Sequence, residues 1–241
     1  MWNIRESEHY IFHYHGGSHA EQDIIRIIET QENCFEYICE VLDVKLDKKL
    51  NYYLCNSPVE VGEFYGDNEP GNGFARMPDE IYAVYNKDIK CIGYHEDAHI
   101  ISYNTLAKPP QNFIREGLAM FFDKTWWGIS NFAWVVYFLE KNKLPRLCDL
   151  IENSNFHKYS YIITYSLSGA FTEYMISVFR IGTYKEFYKN LGEDFNLCFQ
   201  ESFGISFDEA ELKFIKYLNN ISISKDIFEI IERRLEMKTF K

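Results

Sequence analysis

The chain contains 241 residues, 46% of them hydrophobic, and carries a formal net charge of −11. A chain of this length and composition can bury a hydrophobic core as one domain or two small ones. Its acidic balance, with no basic stripe, argues against a nucleic-acid partner because it repels phosphate backbones.

The sequence also argues against a membrane or secreted protein. The apolar run FAWVVYFL, residues 132–139, is much shorter than the roughly 20 residues that span a bilayer. The N-terminus lacks the basic and apolar regions of a secretory signal. The six cysteines are scattered without a CxxC pair, as is typical of reduced thiols. We therefore expect a cytoplasmic protein without a membrane partner, and the sequence leaves its oligomeric state open.

The N-terminal region begins with a predicted strand and a predicted helix. Residues 2–14 alternate between two faces, which indicates one half-buried strand. Ser18 and Glu21 then form a capping-box pattern, and apolar residues follow at helical spacing. We expect this helix to end near Asp43.

Two more strands are predicted at LNYYLC, residues 50–55, and EIYAVYN, residues 80–86, separated by a loop rich in glycine, proline and asparagine. The later part of the chain has mostly helical periodicity, and a second capping box begins at Ser206. The sequence therefore predicts an α+β fold in one compact unit. Residues 1–90 form a small mixed sheet with one packed helix, and residues 91–241 form a mostly helical subdomain.

The segment GYHEDAHIISYN, residues 93–104, contains an HExxH pattern on a predicted helix. At 3.6 residues per turn, His95 and His99 lie only about 40° apart around the helix, so both imidazoles can reach one ion. Glu96 is rotated by about 100° from His95. This places its carboxylate beside the ion, where it can accept a proton from water. The alternative is two surface histidines on an amphipathic helix.

A catalytic zinc site needs a third protein ligand. Ser102 and Thr105 stand where the metzincin pattern would require glycine and histidine, which excludes that arrangement. Glu116, in FIREGLAMFF on the next predicted helix, is the better candidate. The KPPQN loop can turn the chain back between the two helices, and Gly117 beside Glu116 suits close helix packing. The alternative is an exposed glutamate near the positive end of the helix dipole.

HEDAH followed by REGLAMFF resembles the gluzincin metallopeptidases, in which a glutamate in an EGLA-type helix completes HExxH. Two C-terminal segments also resemble the helices of small bacterial peptidase MA-like proteins, so the resemblance extends over roughly residues 71–218; the segments are residues 165–179 and 199–218. This resemblance implies a Zn²⁺ cofactor, a peptide or protein substrate, and specific site residues. The implied ligands are His95, His99 and Glu116, and the implied general base is Glu96.

The expected chemistry is hydrolysis of a peptide bond. Zinc lowers the pKa of a bound water towards about 7. Glu96 would accept its proton and pass it to the leaving amine. A second donor should stabilise the charge on the carbonyl oxygen. Tyr165 is our first candidate, because the gluzincin resemblance places such a tyrosine there, and Tyr161 and His157 are its rivals.

The substrate should pair with an exposed strand. EIYAVYN resembles the edge strand with which gluzincins bind an extended peptide. We therefore expect Ala83, Val84 and Tyr85 to bind substrate. Gly71 and Gly73 would allow close approach of the chain there, although a plain turn also explains them.

Other interpretations of the same residues remain open. Histidines near the N-terminus could form a rival metal cluster, although a solvated strand face is commoner; they are His9, His13, His15 and His19. The fold could also be a catalytically inactive gluzincin-like domain that binds a peptide or protein partner. Alternatively, the zinc could be structural, with His157 as its fourth ligand.

Overall fold

The structure is a computed structural model that describes residues 2–239. Packing divides the chain into two compact units, the first ending at Ala107 and the second beginning at Lys108. Within the described residues, no helix combines the length and apolar character needed to cross a membrane.

The first unit contains a mixed five-stranded sheet. Its strands are β1 (Trp2–Glu6), β2 (Tyr10–His15), β3 (Leu50–Cys55), β4 (Gly73–Arg76) and β5 (Glu80–Val84). Their order across the sheet is β1-β2-β3-β5-β4. The central pairs β2–β3 and β3–β5 are parallel, whereas the two outer pairs are antiparallel. The helices of this unit are α1 (His19–Leu42), α2 (Pro58–Tyr65) and α3 (Tyr94–Thr105).

The N-terminal segment forms two strands where the sequence predicted one. The backbone amide of Ser7 donates to the carbonyl of Tyr10, closing a turn that folds β1 back onto β2. The alternation holds within β2, whose even-numbered aromatic residues are buried. The single strand over residues 2–14 is therefore corrected to an antiparallel hairpin.

Helix α1 begins and ends where its capping residues predict. The Ser18 side chain accepts a hydrogen bond from the Glu21 backbone amide at 3.1 Å, and Asp43 ends the helix in the left-handed conformation. Apolar residues at helical spacing face the core from this helix; they include Ile24, Ile27, Phe35, Ile38 and Leu42. The predicted bounds of this helix are confirmed.

The prediction that EIYAVYN is an edge strand is wrong. β5 lies between β3 and β4, and the two edge strands are β1 and β4. Ala83, Val84 and Tyr85 are each fully buried, and the Tyr85 hydroxyl donates to Asp23 at 2.7 Å. β5 is thus already paired with a strand on each side. The error arose because β4 has only four residues and lies inside the loop rich in glycine and proline.

Helix α3 packs on α1, β4 and β5, so it belongs to the first unit. The division after Ala107 thus differs from the sequence-based division after residue 90. Ile100 and Ile101 of this helix are both fully buried, which stabilises its packing.

The second unit is mostly helical, which confirms the α+β class. Its helices are α4 (Asn112–Asp123), α5 (Asn131–Glu140), α6 (Leu147–Ile151), α7 (Asn153–Phe156), α8 (Tyr161–Asn190), α9 (Phe195–Phe203), α10 (Phe207–Leu218) and α11 (Lys225–Thr239). A small hairpin of β6 (Thr125–Trp126) and β7 (Ile129–Ser130) follows α4. Helix α8 is interrupted at Arg180, whose φ of 69° and ψ of 156° are not helical. The Ser206 side chain caps α10, as predicted.

Candidate metal centre

The first turn of α3 is held by a side chain from α1. Gly93 precedes the helix with a φ of 131°, a conformation that favours glycine. The Gln31 side chain accepts from the Gly93 amide at 2.8 Å and donates to the Gly93 carbonyl at 3.1 Å. Gln31 therefore takes the place of a capping residue and fixes where α3 begins.

Asp97, inside the HEDAH segment, is buried on the side of α3 that packs into the unit. It accepts from the Gln31 amide at 2.7 Å and from the Tyr10 hydroxyl at 2.8 Å. Burial, followed by the charge of Glu96, raises the pKa of Asp97 well above its usual value against the opposing effect of these hydrogen bonds. Asp97 is consequently a structural residue, which sequence reasoning missed because its partners are far along the chain.

His95 and His99 lie side by side, one helical turn apart on α3. Their ring centroids are 4.9 Å apart, and the ring planes are nearly perpendicular. His99 is buried, and its Nδ1 lies 3.1 Å from the hydroxyl oxygen of Tyr103, one turn further along. Sequence reasoning also missed Tyr103, although its position four residues after His99 was a usable signal.

Glu96 lies against the edge strand. A Cβ added at Gly73 of β4 would stand 3.1 Å from Glu96 Oε1 and 3.0 Å from the Tyr82 carbonyl oxygen. The missing side chain at Gly73 therefore leaves space for the Glu96 carboxylate. This is a specific reason for a glycine at a position where the sequence also allowed a plain turn.

Glu116 is positioned by the close packing of α4 on α8. A Cβ added at Gly117 would stand 2.4 Å from Thr172 Oγ1 and 3.0 Å from the Ser168 carbonyl oxygen. This approach confirms the close helix packing that Gly117 predicted. At the start of α4, Arg115 donates to the carbonyls of Pro109 and Pro110, which ties the KPPQN loop to the helix.

One ligand atom from each of His95, His99 and Glu116 lies within 4.8 Å of the other two. Two imidazoles and one carboxylate form a donor set found in catalytic zinc sites, which keep a further position for water. Ligand atoms at about 2.0–2.1 Å from a tetrahedral ion are roughly 3.3–3.5 Å apart. These donor types fit a metal ion, and imidazole suits zinc, copper, iron and nickel alike.

The three candidate oxyanion donors lie in the second unit. Tyr165 is half-buried on α8, with its ring 5.1 Å from Trp126 and 6.0 Å from Phe156. Tyr161 is 56% exposed at the start of the same helix. His157 Nε2 lies 2.7 Å from the Asn112 side-chain amide.

The N-terminal histidines have separate partners. His9 contacts Glu32 at 2.5 Å, and His15 contacts Glu60 at 2.6 Å. His13 lies 3.0 Å from Asn51. Within residues 2–239, neither these three nor His19 belongs to a potential metal group.

A second group of possible ligands lies in the helical unit, formed by Cys148, Asp208 and Glu211. Arg146 is within 3.0 Å of Asp208 and 3.5 Å of Glu211, so it already provides positive charge to both carboxylates. Burial also raises the pKa of the Cys148 thiol. This group is therefore better explained as an ion-pair cluster beside a neutral thiol.

Comparison with known proteins adds no family assignment. No protein-family model matches the chain, and no curated protein matches it either. The interpretation of the site therefore depends on its residues and their geometry.

Proposed function

We propose that this protein is a zinc-dependent peptidase of gluzincin type, acting on a peptide or protein substrate. The observation that carries the proposal is the proximity of the potential ligand atoms of His95, His99 and Glu116. Glu96 follows His95 directly on α3, where a general base is needed. The HExxH pattern and the EGLA-type segment support the same function.

In this mechanism His95, His99 and Glu116 would hold the zinc. The zinc, when bound, supplies a Lewis acid that makes water acidic near neutral pH and polarises a carbonyl group. Glu96 accepts a proton from the attacking water and transfers it to the leaving amine. The peptide bond is replaced by a carboxylate and an ammonium group, and both hydrogens of the water end on the leaving nitrogen, so atoms and charge balance.

A hydrogen-bond donor is also needed for the developing charge on the carbonyl oxygen. We assign this role to Tyr165, with Tyr161 and His157 as alternatives. Tyr165 lies one turn before Ser168, the residue whose carbonyl meets Gly117. Packing of α4 on α8 therefore supports both Tyr165 and the helix that carries Glu116.

We assign substrate pairing to β4 instead of β5. Of the two edge strands, β4 is the one that packs against α3. An extended peptide could add to such an edge through its backbone hydrogen bonds. We also propose a cytoplasmic location, which the six free cysteines support.

The substitution Glu96→Gln tests the mechanism. It removes the base but leaves the three proposed ligands, so zinc content should be retained while hydrolysis falls by roughly 10²–10⁴-fold. The measurement is cleavage of a peptide library, with and without a chelator, together with metal analysis. Glu63→Gln, the same change at an exposed site on α2, is the matched control and should keep full activity.

Full activity in the Glu96→Gln variant would exclude the mechanism. A wild-type chain that binds zinc and captures peptides without cleaving them would instead support the inactive, partner-binding domain. Cleavage that the chelator stops in the wild-type chain would support the peptidase.

A further inference from the structure

Tyr103 is the hydrogen-bond partner of one candidate metal ligand. Its hydroxyl oxygen lies 3.1 Å from His99 Nδ1. The two rings are nearly stacked, with centroids 5.4 Å apart and an interplanar angle of 27°. Because both residues are on α3, one turn apart, this contact depends on the helix itself.

The contact has a chemical consequence for His99. An imidazole ligates a metal through a deprotonated nitrogen, and its other nitrogen then carries a proton that needs an acceptor. Tyr103 faces Nδ1, so Nε2 is the nitrogen that can serve as the ligand. The phenol oxygen can accept a hydrogen bond from Nδ1–H.

We propose that Tyr103 is a positioning residue that holds the proton of His99 on Nδ1 and thereby presents Nε2 to the metal. This inference rests on the proposed function, because it assumes that His99 is a ligand. The opposite arrangement, in which the Tyr103 hydroxyl donates to Nδ1, places the proton on Nε2 and prevents ligation.

The burial of His99 also affects which of its nitrogens carries the proton. The residue is only 7% exposed, so few water molecules can replace the phenol as an acceptor. Loss of the hydroxyl would leave the buried Nδ1–H without this partner, and the proton would shift towards Nε2. Outer partners of this kind affect metal affinity by about 10–100-fold.

The test compares Tyr103→Phe with the wild-type chain and with Tyr65→Phe. Tyr65 is 61% exposed at the end of α2, so removing its hydroxyl is the matched control. Zinc affinity is measured by competition with a chromophoric chelator, and the ¹⁵N shifts of the His99 ring report its tautomer by NMR. Thermal melts of the zinc-free proteins show whether each variant is folded.

Tyr103→Phe should bind zinc about 10–100-fold more weakly than the wild-type chain and, in the zinc-free protein, should lose the Nδ1–H signature of His99. Tyr65→Phe should match the wild type in both measurements. Wild-type affinity and an unchanged tautomer in Tyr103→Phe would overturn the inference. If Tyr103→Phe does not fold, the ring signature of His99 in the zinc-loaded wild type decides: a proton on Nδ1 supports the inference, and Nδ1 ligation overturns it.

The variant His99→Ala separates this inference from the proposed function. Loss of zinc binding in His99→Ala, with no effect of Tyr103→Phe, would refute the role of Tyr103 and leave the metal site intact. Unchanged zinc binding in His99→Ala would refute the metal site and the role of Tyr103 with it.

Discussion

At the scale of single residues, the HEDAH segment carries candidate metal ligands on one face of α3 and a buried structural acid on another. His95 and His99 are candidate ligands, whereas Asp97 between them is buried against Gln31 and Tyr10. Asp97 and the amide of Gln31 connect α3 to α1 through a hydrogen bond shielded from water. The ligand positions therefore depend on residues that have no direct role in chemistry.

Substitution of Gln31 by alanine should test this dependence. It would leave the buried Asp97 and the amide and carbonyl of Gly93 without their Gln31 partners, at a cost of about 2–5 kcal/mol. Urea denaturation measures this free energy of unfolding. The control is Gln22→Ala, an exposed position on the same helix, which should change stability by less than about 0.5 kcal/mol. A Gln31→Ala variant as stable as this control would contradict the role of the network.

Sequence spacing predicted His95, Glu96 and His99 as a group because helical geometry places residues four apart on one face. It could not predict the Gln31–Asp97 contact, which joins residues 66 positions apart in the chain. Spacing also could not show that Tyr85 is buried, since its hydrogen-bond partner Asp23 lies on another element. Local spacing thus identified the candidate ligands, whereas their support depends on tertiary contacts.

At the scale of elements, α4 and α8 pack closely because Gly117 has no side chain. Thr172, which such a side chain would meet, is itself buried and hydrogen-bonded to the Tyr184 hydroxyl at 3.1 Å. Thr172 therefore cannot move aside without breaking a buried contact. This packing fixes the helix that carries Glu116.

Gly117→Ala should consequently destabilise the protein by about 1–3 kcal/mol, because the two helices must separate to admit the methyl group. It should also weaken zinc binding, since α4 carries Glu116. The matched control is Gly182→Ala on α8, where an added Cβ meets no atom within 4 Å. That control should be neutral or slightly stabilising, because alanine favours a helix. Equal melting temperatures for the two variants would contradict the packing argument.

The predictions of elements succeeded where capping or periodicity was strong and failed where an element was short. Helix α1 was predicted because a capping box at Ser18 is followed by apolar residues at helical spacing, and its end at Asp43 was expected too. β4 was missed because four residues, GFAR, show too little alternation to indicate a strand. Because β4 was missed, β5 was wrongly predicted to be an edge strand.

At the scale of the whole molecule, composition and periodicity predicted the α+β class, with a sheet followed by helices. They did not predict that α3 joins the first unit, because that depends on its packing against α1 and the sheet. The acidic net charge of −11 gives no information about substrate; such charge mainly supports solubility. The functional interpretation therefore depends on one small cluster of side chains.

The most direct test of this cluster is anomalous X-ray diffraction at the zinc edge, on crystals of the wild-type chain grown with zinc. The account predicts one strong anomalous peak within about 2.0–2.3 Å of a nitrogen of His95, a nitrogen of His99 and an oxygen of Glu116. An absence of zinc between these three residues, or Glu116 turned away from a zinc held by the two histidines, would contradict the account.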